Sequence, residues 1–266
     1  MNSKQEKDIG KLYTNLHCFG EQNEWISYKK NSYTELCHFI AETEDTSFDN
    51  AASILANVDS PVFRDMIQEL IEIKALLEPH NDTGKNLIDE YLMNRSSEDS
   101  AFMQSYLLCL NNSTYRIWEA VNVVKDKSVE LKVYGKEGPT KTLFNKSLSN
   151  YCEKNACYSA SIVEHDGEFY MSHSPTYIPQ EIAKSITAET DKVDSSLRNP
   201  SSLDSLKEGF TEAEVNTIIM RISQIMCLNF VISYLIHANR HTQSNPSSKA
   251  KNIITKRSRN HLRLVN

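Results

Sequence analysis

The sequence predicts an α+β chain, mostly helical, with a small antiparallel β-sheet or barrel inserted between two helical regions. Three observations carry this reading. Apolar residues recur at helical spacing through residues 1–110. Between residues 111 and 178 the period shortens to two, and Asp166-Gly167 stands between two apolar runs as a hairpin signal. From residue 179 helical spacing returns and ends in a long apolar run, followed by a basic tail over residues 238–266. The predicted divisions are 1–110, 111–178, 179–237 and 238–266.

Ile9, Leu12, Tyr13 and Leu16 mark a first amphipathic helix, and a second covers Tyr33 to Glu42. Ser60-Pro61 reads as an N-cap with proline in the first helical position. Phe63, Met66, Ile67, Leu70, Ile73, Leu76 and Leu77 form the apolar stripe that follows, and Pro79 stops it. Leu87, Ile88, Tyr91 and Leu92 mark a short helix. Ser96 with Asp99 predicts a capped start for a helix carrying Phe102, Met103, Tyr106 and Leu110.

Tyr115 to Val124 is rich in aromatic and β-branched residues, as strands are. Ser128 to Tyr134 alternates, with Val129, Leu131 and Val133 on one face. Lys125-Asp126-Lys127 joins the two, and Gly135 to Pro139 is a second loop. Ser147 to Cys157 predicts a short helix. With Asp166-Gly167 as a two-residue turn, His165 pairs with Glu168 and Ala160 with His173. Pro175 and Pro179 end the sheet, and Ile182 to Ile186 opens a helix. Asp191 to Ser205 is polar and predicts a loop. Thr211 with Glu214 makes a capping box for a helix reaching about His237.

Charge is segregated. Arg240, Lys249, Lys251, Lys256, Arg257, Arg259 and Arg263 lie in the tail, which has no acidic residue. The other 237 residues hold 22 basic groups against 35 acidic ones. Such a body repels nucleic acid and anionic membrane, so the tail is the predicted contact for either. Six cysteines are too sparse for a disulfide scaffold, and the opening MNSKQEKDIG has no apolar core of a secretory signal. A cytoplasmic chain with reduced thiols is predicted.

Ile218 to Ile236 is nineteen residues long and largely apolar, close to the ~20 needed to span a bilayer. Arg221, Gln224 and Asn229 interrupt it. An Arg within a span costs about 2.5–3.5 kcal/mol, so the sequence favours a core helix over a transmembrane span.

Few residue patterns point to chemistry. His17-Cys18 and Cys37-His38 supply ligand-type side chains, but neighbours on a helix diverge by about 100°. No metal or cofactor is predicted. Cys157, His165 and His173 invite a thiol–imidazole reading, although eight residues of strand part Cys157 from His165, roughly 26 Å. YSASIVEHDGEFYMSHS has the strand–turn–strand look of nucleobase deaminases, but H-x-E and P-C-x-x-C are absent. Phosphate-binding glycine loops, H-E-x-x-H and G-x-S-x-G are absent too. Carboxylate groups such as Glu42, Glu44 and Asp45 read as a solvated helix face.

The passage from the helix SxxDxxFMQSYL through TYRIWEAVNVV and SVELKV to SASIVEHDGEFYMSHSP, within residues 85–190, is similar in layout to a β module in uncharacterised bacterial proteins. Those proteins often carry a C-terminal zinc motif like that of the SecA translocase. This chain has no cysteine after Cys227, so it lacks that motif, and the resemblance implies no reaction.

The expectation is a non-enzymatic protein-interaction or adaptor module, with a protein partner held by the β module or the basic tail. Two alternatives stand beside it. One is a hydrolase or transferase using Cys157, His165 or His173. The other is nucleic-acid binding through Lys249, Lys251, Lys256, Arg257, Arg259 and Arg263, with an anionic membrane as a further partner for the same residues.

Overall fold

The computed structural model describes residues 3–22, 25–78, 85–95, 99–199 and 211–244. Two compact units divide the chain: Met1–Asn57 with Ile67–Ser113, and Val58–Met66 with Thr114–Asn266.

The first unit is helical. It contains α1 (Ser3–Gln22), α2 (Trp25–Thr43), α3 (Phe48–Ala56), α5 (Leu87–Asn94) and α6 (Ala101–Asn111). It also takes in α4 (Pro61–Leu77) from Ile67 onward. Leu12 and Leu16, Leu36 and Ile40, Leu70, Leu87 and Ile88, and Leu107 supply its buried apolar core. Burial of each such side chain contributes about 1.5–3 kcal/mol.

The sequence pattern does not announce helix α3, because its buried face is only Ala51 and Leu55, too few apolar positions to display a helical period. Its start is nonetheless set locally: the Ser47 hydroxyl accepts from the Asn50 N–H at 3.2 Å. The cap of α6 is a correction. It is Ser100, whose hydroxyl accepts from the Met103 N–H at 3.3 Å. Ser96 lies outside the described residues. Asp99 instead accepts from the Tyr91 hydroxyl at 2.6 Å and from the Asn15 amide at 3.1 Å.

The second unit holds the sheet. Its strands are β1 (Thr114–Val124), β2 (Ser128–Val133), β3 (Lys141–Leu143), β4 (Cys157–His165), β5 (Glu168–Met171) and β6 (Thr176–Ile178). The order is β3-β2-β1-β4-β5, with β6 also on β4, and every pairing is antiparallel. A bulge between Ala120 and Asn122 bends β1. The end strands β3 and β5 approach each other, so the sheet nearly closes. Lys141 bridges that seam, 3.5 Å from Glu164 and 4.5 Å from the centre of the Phe169 ring. Trp118, Ala120, Val129, Leu131, Leu143, Tyr158, Ala160 and Ile162 fill the interior. The Trp118 indole N–H donates to the Ala160 carbonyl at 3.0 Å, so the buried ring leaves no polar atom unsatisfied.

Asp166-Gly167 forms the turn that the sequence indicates. Both residues have positive φ, 52° and 74°, and His165 pairs with Glu168. The three-residue strands β3 and β6 are too short to show alternation and were missed. Helix α7 (Lys146–Tyr151) stops six residues short of the predicted end at Cys157, with its C-cap at Cys152, and Cys157 opens β4 instead.

Two helices complete this unit, α8 (Gln180–Leu197) and α9 (Glu212–Ser244). The predicted loop from Asp191 is helix as far as Leu197, a second correction. Its polar residues face partners: Asp191 takes Lys136 at 2.6 Å, and Asp194 accepts from the Ser223 hydroxyl of α9 at 3.1 Å. Thr211 and Glu214 form the expected box, with the Thr211 N–H donating to Glu214 at 2.7 Å. Helix α9 then runs past His237 to Ser244. The tail cations Lys249, Lys251, Lys256, Arg257, Arg259 and Arg263 lie outside the described residues.

Candidate functional site

Alternation along β4 turns Tyr158, Ala160 and Ile162 into the sheet interior. Cys157, Ser159, Ser161, Val163 and His165 therefore share the opposite face. All five are buried.

Cys157 opens β4, between Glu119 of β1 and Ile178 of β6. Burial pushes its thiol up to about 11, and the Glu119 carboxylate adds to the rise. At neutral pH the sulfur is a thiol, the reverse of what a nucleophilic cysteine needs. His165 closes the same strand at its far end, with Nδ1 3.4 Å from an Asp166 carboxylate oxygen. The strand thus holds Cys157 and His165 roughly 26 Å apart, eight steps of ~3.3 Å.

His173 lies just beyond β5. The pairing of Ala160 with His173 expected from the turn does not form, because β5 ends at Met171. The imidazole takes over the ladder: Nε2 accepts from the Ser161 N–H at 3.1 Å. Nδ1 stands 2.9 Å from the Ser174 carbonyl oxygen, to which it donates. The ring lies over Tyr115, with centroids 5.6 Å apart. This arrangement fixes one neutral tautomer and uses both nitrogens on the backbone. Four residues of strand, roughly 13 Å, separate Ser161 from Cys157. The geometry therefore does not bring the thiol together with either imidazole.

Among the described residues, no group of three or more His, Cys, Asp or Glu side chains is placed to hold a metal ion. Cys37 is buried and hydrogen-bonds with Tyr33, while the side chain of His17 is outside the described set. In α9, residues Glu212–Asn239 form a helix long and apolar enough to cross a membrane, with an 18-residue stretch of mean hydropathy 1.6. Within its unit this helix lies on α8 and β1. Val215, Ile219, Cys227, Leu228, Val231, Ile232, Leu235 and Ile236 are buried.

The large apolar side chains that are exposed belong to other elements: Phe48, Met93, Leu108, Val124 and Phe144 among the described residues. Two of these share one corner of the sheet. Val124 ends β1 and pairs with Ser128, and Phe144 follows Leu143, which pairs with Val129. Continued by one residue, that register sets Phe144 beside Ser128. Phe144 and Val124 thus lie two strand spacings apart, about 10 Å. Val123 and Leu143 turn inward, so Val124 and Phe144 face solvent, 43% and 69% exposed.

The corner is held firmly. Lys125 donates to the Asn150 and Cys152 carbonyls at the end of α7, at 3.3 and 3.1 Å. Asp126 and Asn150 exchange two hydrogen bonds, and Lys146 stands 3.4 Å from the Asp126 carboxylate. Asn145 caps α7 by accepting from the Leu148 N–H at 2.8 Å. Sequence reasoning missed Phe144 because it falls on a strand–helix junction with no period of its own. The signal that marks the junction is Asn145, a cap residue directly before a helix.

Neither protein-family models, nor curated proteins, nor solved structures give a match to this chain.

Proposed function

We propose that this chain is a non-enzymatic protein-interaction module that engages a protein partner through its β module. One observation carries the reading: His173, the imidazole nearest to a role in chemistry, spends both ring nitrogens holding the β4–β5 hairpin together. The buried, protonated Cys157 thiol supports the same reading. The firm corner around Val124 and Phe144 offers what a contact surface needs, apolar area on a framework that loses little freedom on binding. The test is affinity purification of the tagged full chain from its native cells, beside an activity screen of the same protein. The expected result is a protein recovered in fixed ratio. A turnover that disappears in Cys157→Ser overturns the reading.

The charge pattern favours a second reading, contact through the basic tail. Seven Lys/Arg without an acidic residue suit a nucleic acid or an anionic membrane. That reading predicts affinity that falls steeply with salt. Binding unchanged between 50 and about 200 mM salt counts against it.

A further inference from the structure

We propose that the corner formed by Val124, Phe144 and the lysines beside them docks an acidic, apolar-anchored segment of a protein partner. The inference rests on the interaction reading above and names the chemistry of the partner. Lys125 and Lys127 follow exposed Val124 in the β1–β2 turn, Lys146 opens α7 two residues after exposed Phe144, and Asp126 is the one carboxylate of the turn. Asp126 is already engaged by Asn150 and Lys146, which hold its carboxyl below the usual range. The corner is therefore locally positive on a chain of net charge −6. An apolar residue flanked by carboxylates matches it in both respects: the apolar group covers Phe144, and the carboxylates meet the lysines.

The same charges argue for a peptide over a nucleic acid. Outside the tail the chain carries 35 acidic and 22 basic groups, a field that opposes a long polyanion. A short acidic segment senses only the charges within a Debye length, about 8 Å at physiological salt. The backbone of the corner is set before binding by the Lys125, Asp126 and Asn150 hydrogen bonds, so little order has to be gained.

The experiment uses the full chain and three twelve-residue peptides with one Leu-Phe core, flanked by Glu, Gln or Lys, and a twelve-nucleotide single-stranded RNA. Fluorescence anisotropy reads affinity, and amide chemical shifts locate the contact. The Glu-flanked peptide is expected to bind best, to shift Val124, Lys127 and Phe144, and to weaken with salt. Phe144→Ser and Lys127→Glu each lower its affinity about tenfold; both side chains are exposed, so neither change disturbs the core. Equal binding of the Glu- and Lys-flanked peptides overturns the proposal. So does tighter binding of the RNA, unchanged affinity in Phe144→Ser, or no binding of any peptide below millimolar concentration. Affinity purification with Phe144→Ser separates the two levels. A partner kept by that variant removes the corner and leaves the interaction reading, whereas no partner with the wild-type chain removes both.

Discussion

The backbone N–H of Ser161 donates to Nε2 of His173 at 3.1 Å, in the position where a strand neighbour would supply a carbonyl. A side chain thereby extends the sheet past the end of β5, while the Ser172 N–H donates to the Ser161 carbonyl at 3.1 Å beside it. His173→Ala leaves the Ser161 N–H without this acceptor in a buried place. The expected loss is about 1–3 kcal/mol, read as a lower urea midpoint at unchanged slope. An unaltered midpoint would show that the imidazole is not the anchor of the hairpin.

The Asp166-Gly167 turn makes a separate prediction. Gly167 has φ of 74°, a conformation that a β-carbon strains, and open space surrounds it. Gly167→Ala therefore tests backbone conformation without a packing clash. A cost of about 1 kcal/mol is expected. Gly167→Asn should recover part of it, since asparagine tolerates the left-handed region best among the other residues. Thermal unfolding of the three proteins decides the order.

These two residues also show what the sequence makes legible. Asp166-Gly167 is a local device: the turn type follows from two residues, and the pairing of His165 with Glu168 follows from the turn. The helices α1, α2, α4 and α9 are legible for a similar reason, since a long element repeats its period, and short α5 shows through its apolar set Leu87, Ile88, Tyr91 and Leu92. The strands β3 and β6 hold three residues each, and no period fits in three. The far half of α8 was hidden because Asp191 and Asp194 look like loop residues. In the helix they meet Lys136 and Ser223, partners from distant parts of the chain that the local sequence does not reveal. His173 was legible as a candidate, but its role depends on where β5 stops, which is a tertiary fact. Phe144 gave no signal, because exposure is a property of the folded surface.

In the helical unit, Lys74 is fully buried. Its ammonium donates to both oxygens of Glu78, at 2.8 and 2.7 Å, and the Ser32 hydroxyl donates to the same carboxylate at 2.5 Å. Removing one partner strands the other charge out of water. Lys74→Met alone should cost about 3–5 kcal/mol. The double variant Lys74→Met with Glu78→Leu removes both charges and should recover most of that loss. Strictly additive losses in urea unfolding would show that the pair is not coupled.

Alkaline pH acts on a different set of groups. Burial holds the Cys157 thiol at about 11 and the Cys227 thiol at about 12, against an ordinary value near 9. Burial also lifts the Tyr106 hydroxyl to about 12, against 10. In the unfolded chain these groups release their protons first, so between pH 9 and about 11 the unfolded state binds fewer protons than the folded one. Stability is therefore fully present below pH 9 and falls as pH rises through the folded values. The urea midpoint should decline steadily over that window. Thiol labelling at pH 8 gives the matching kinetic result. Exposed Cys18 should react at the rate of a free thiol, while Cys157 and Cys227 react only as the protein opens. Labelling of Cys157 as fast as Cys18 in the folded protein would contradict the burial that sets its thiol high.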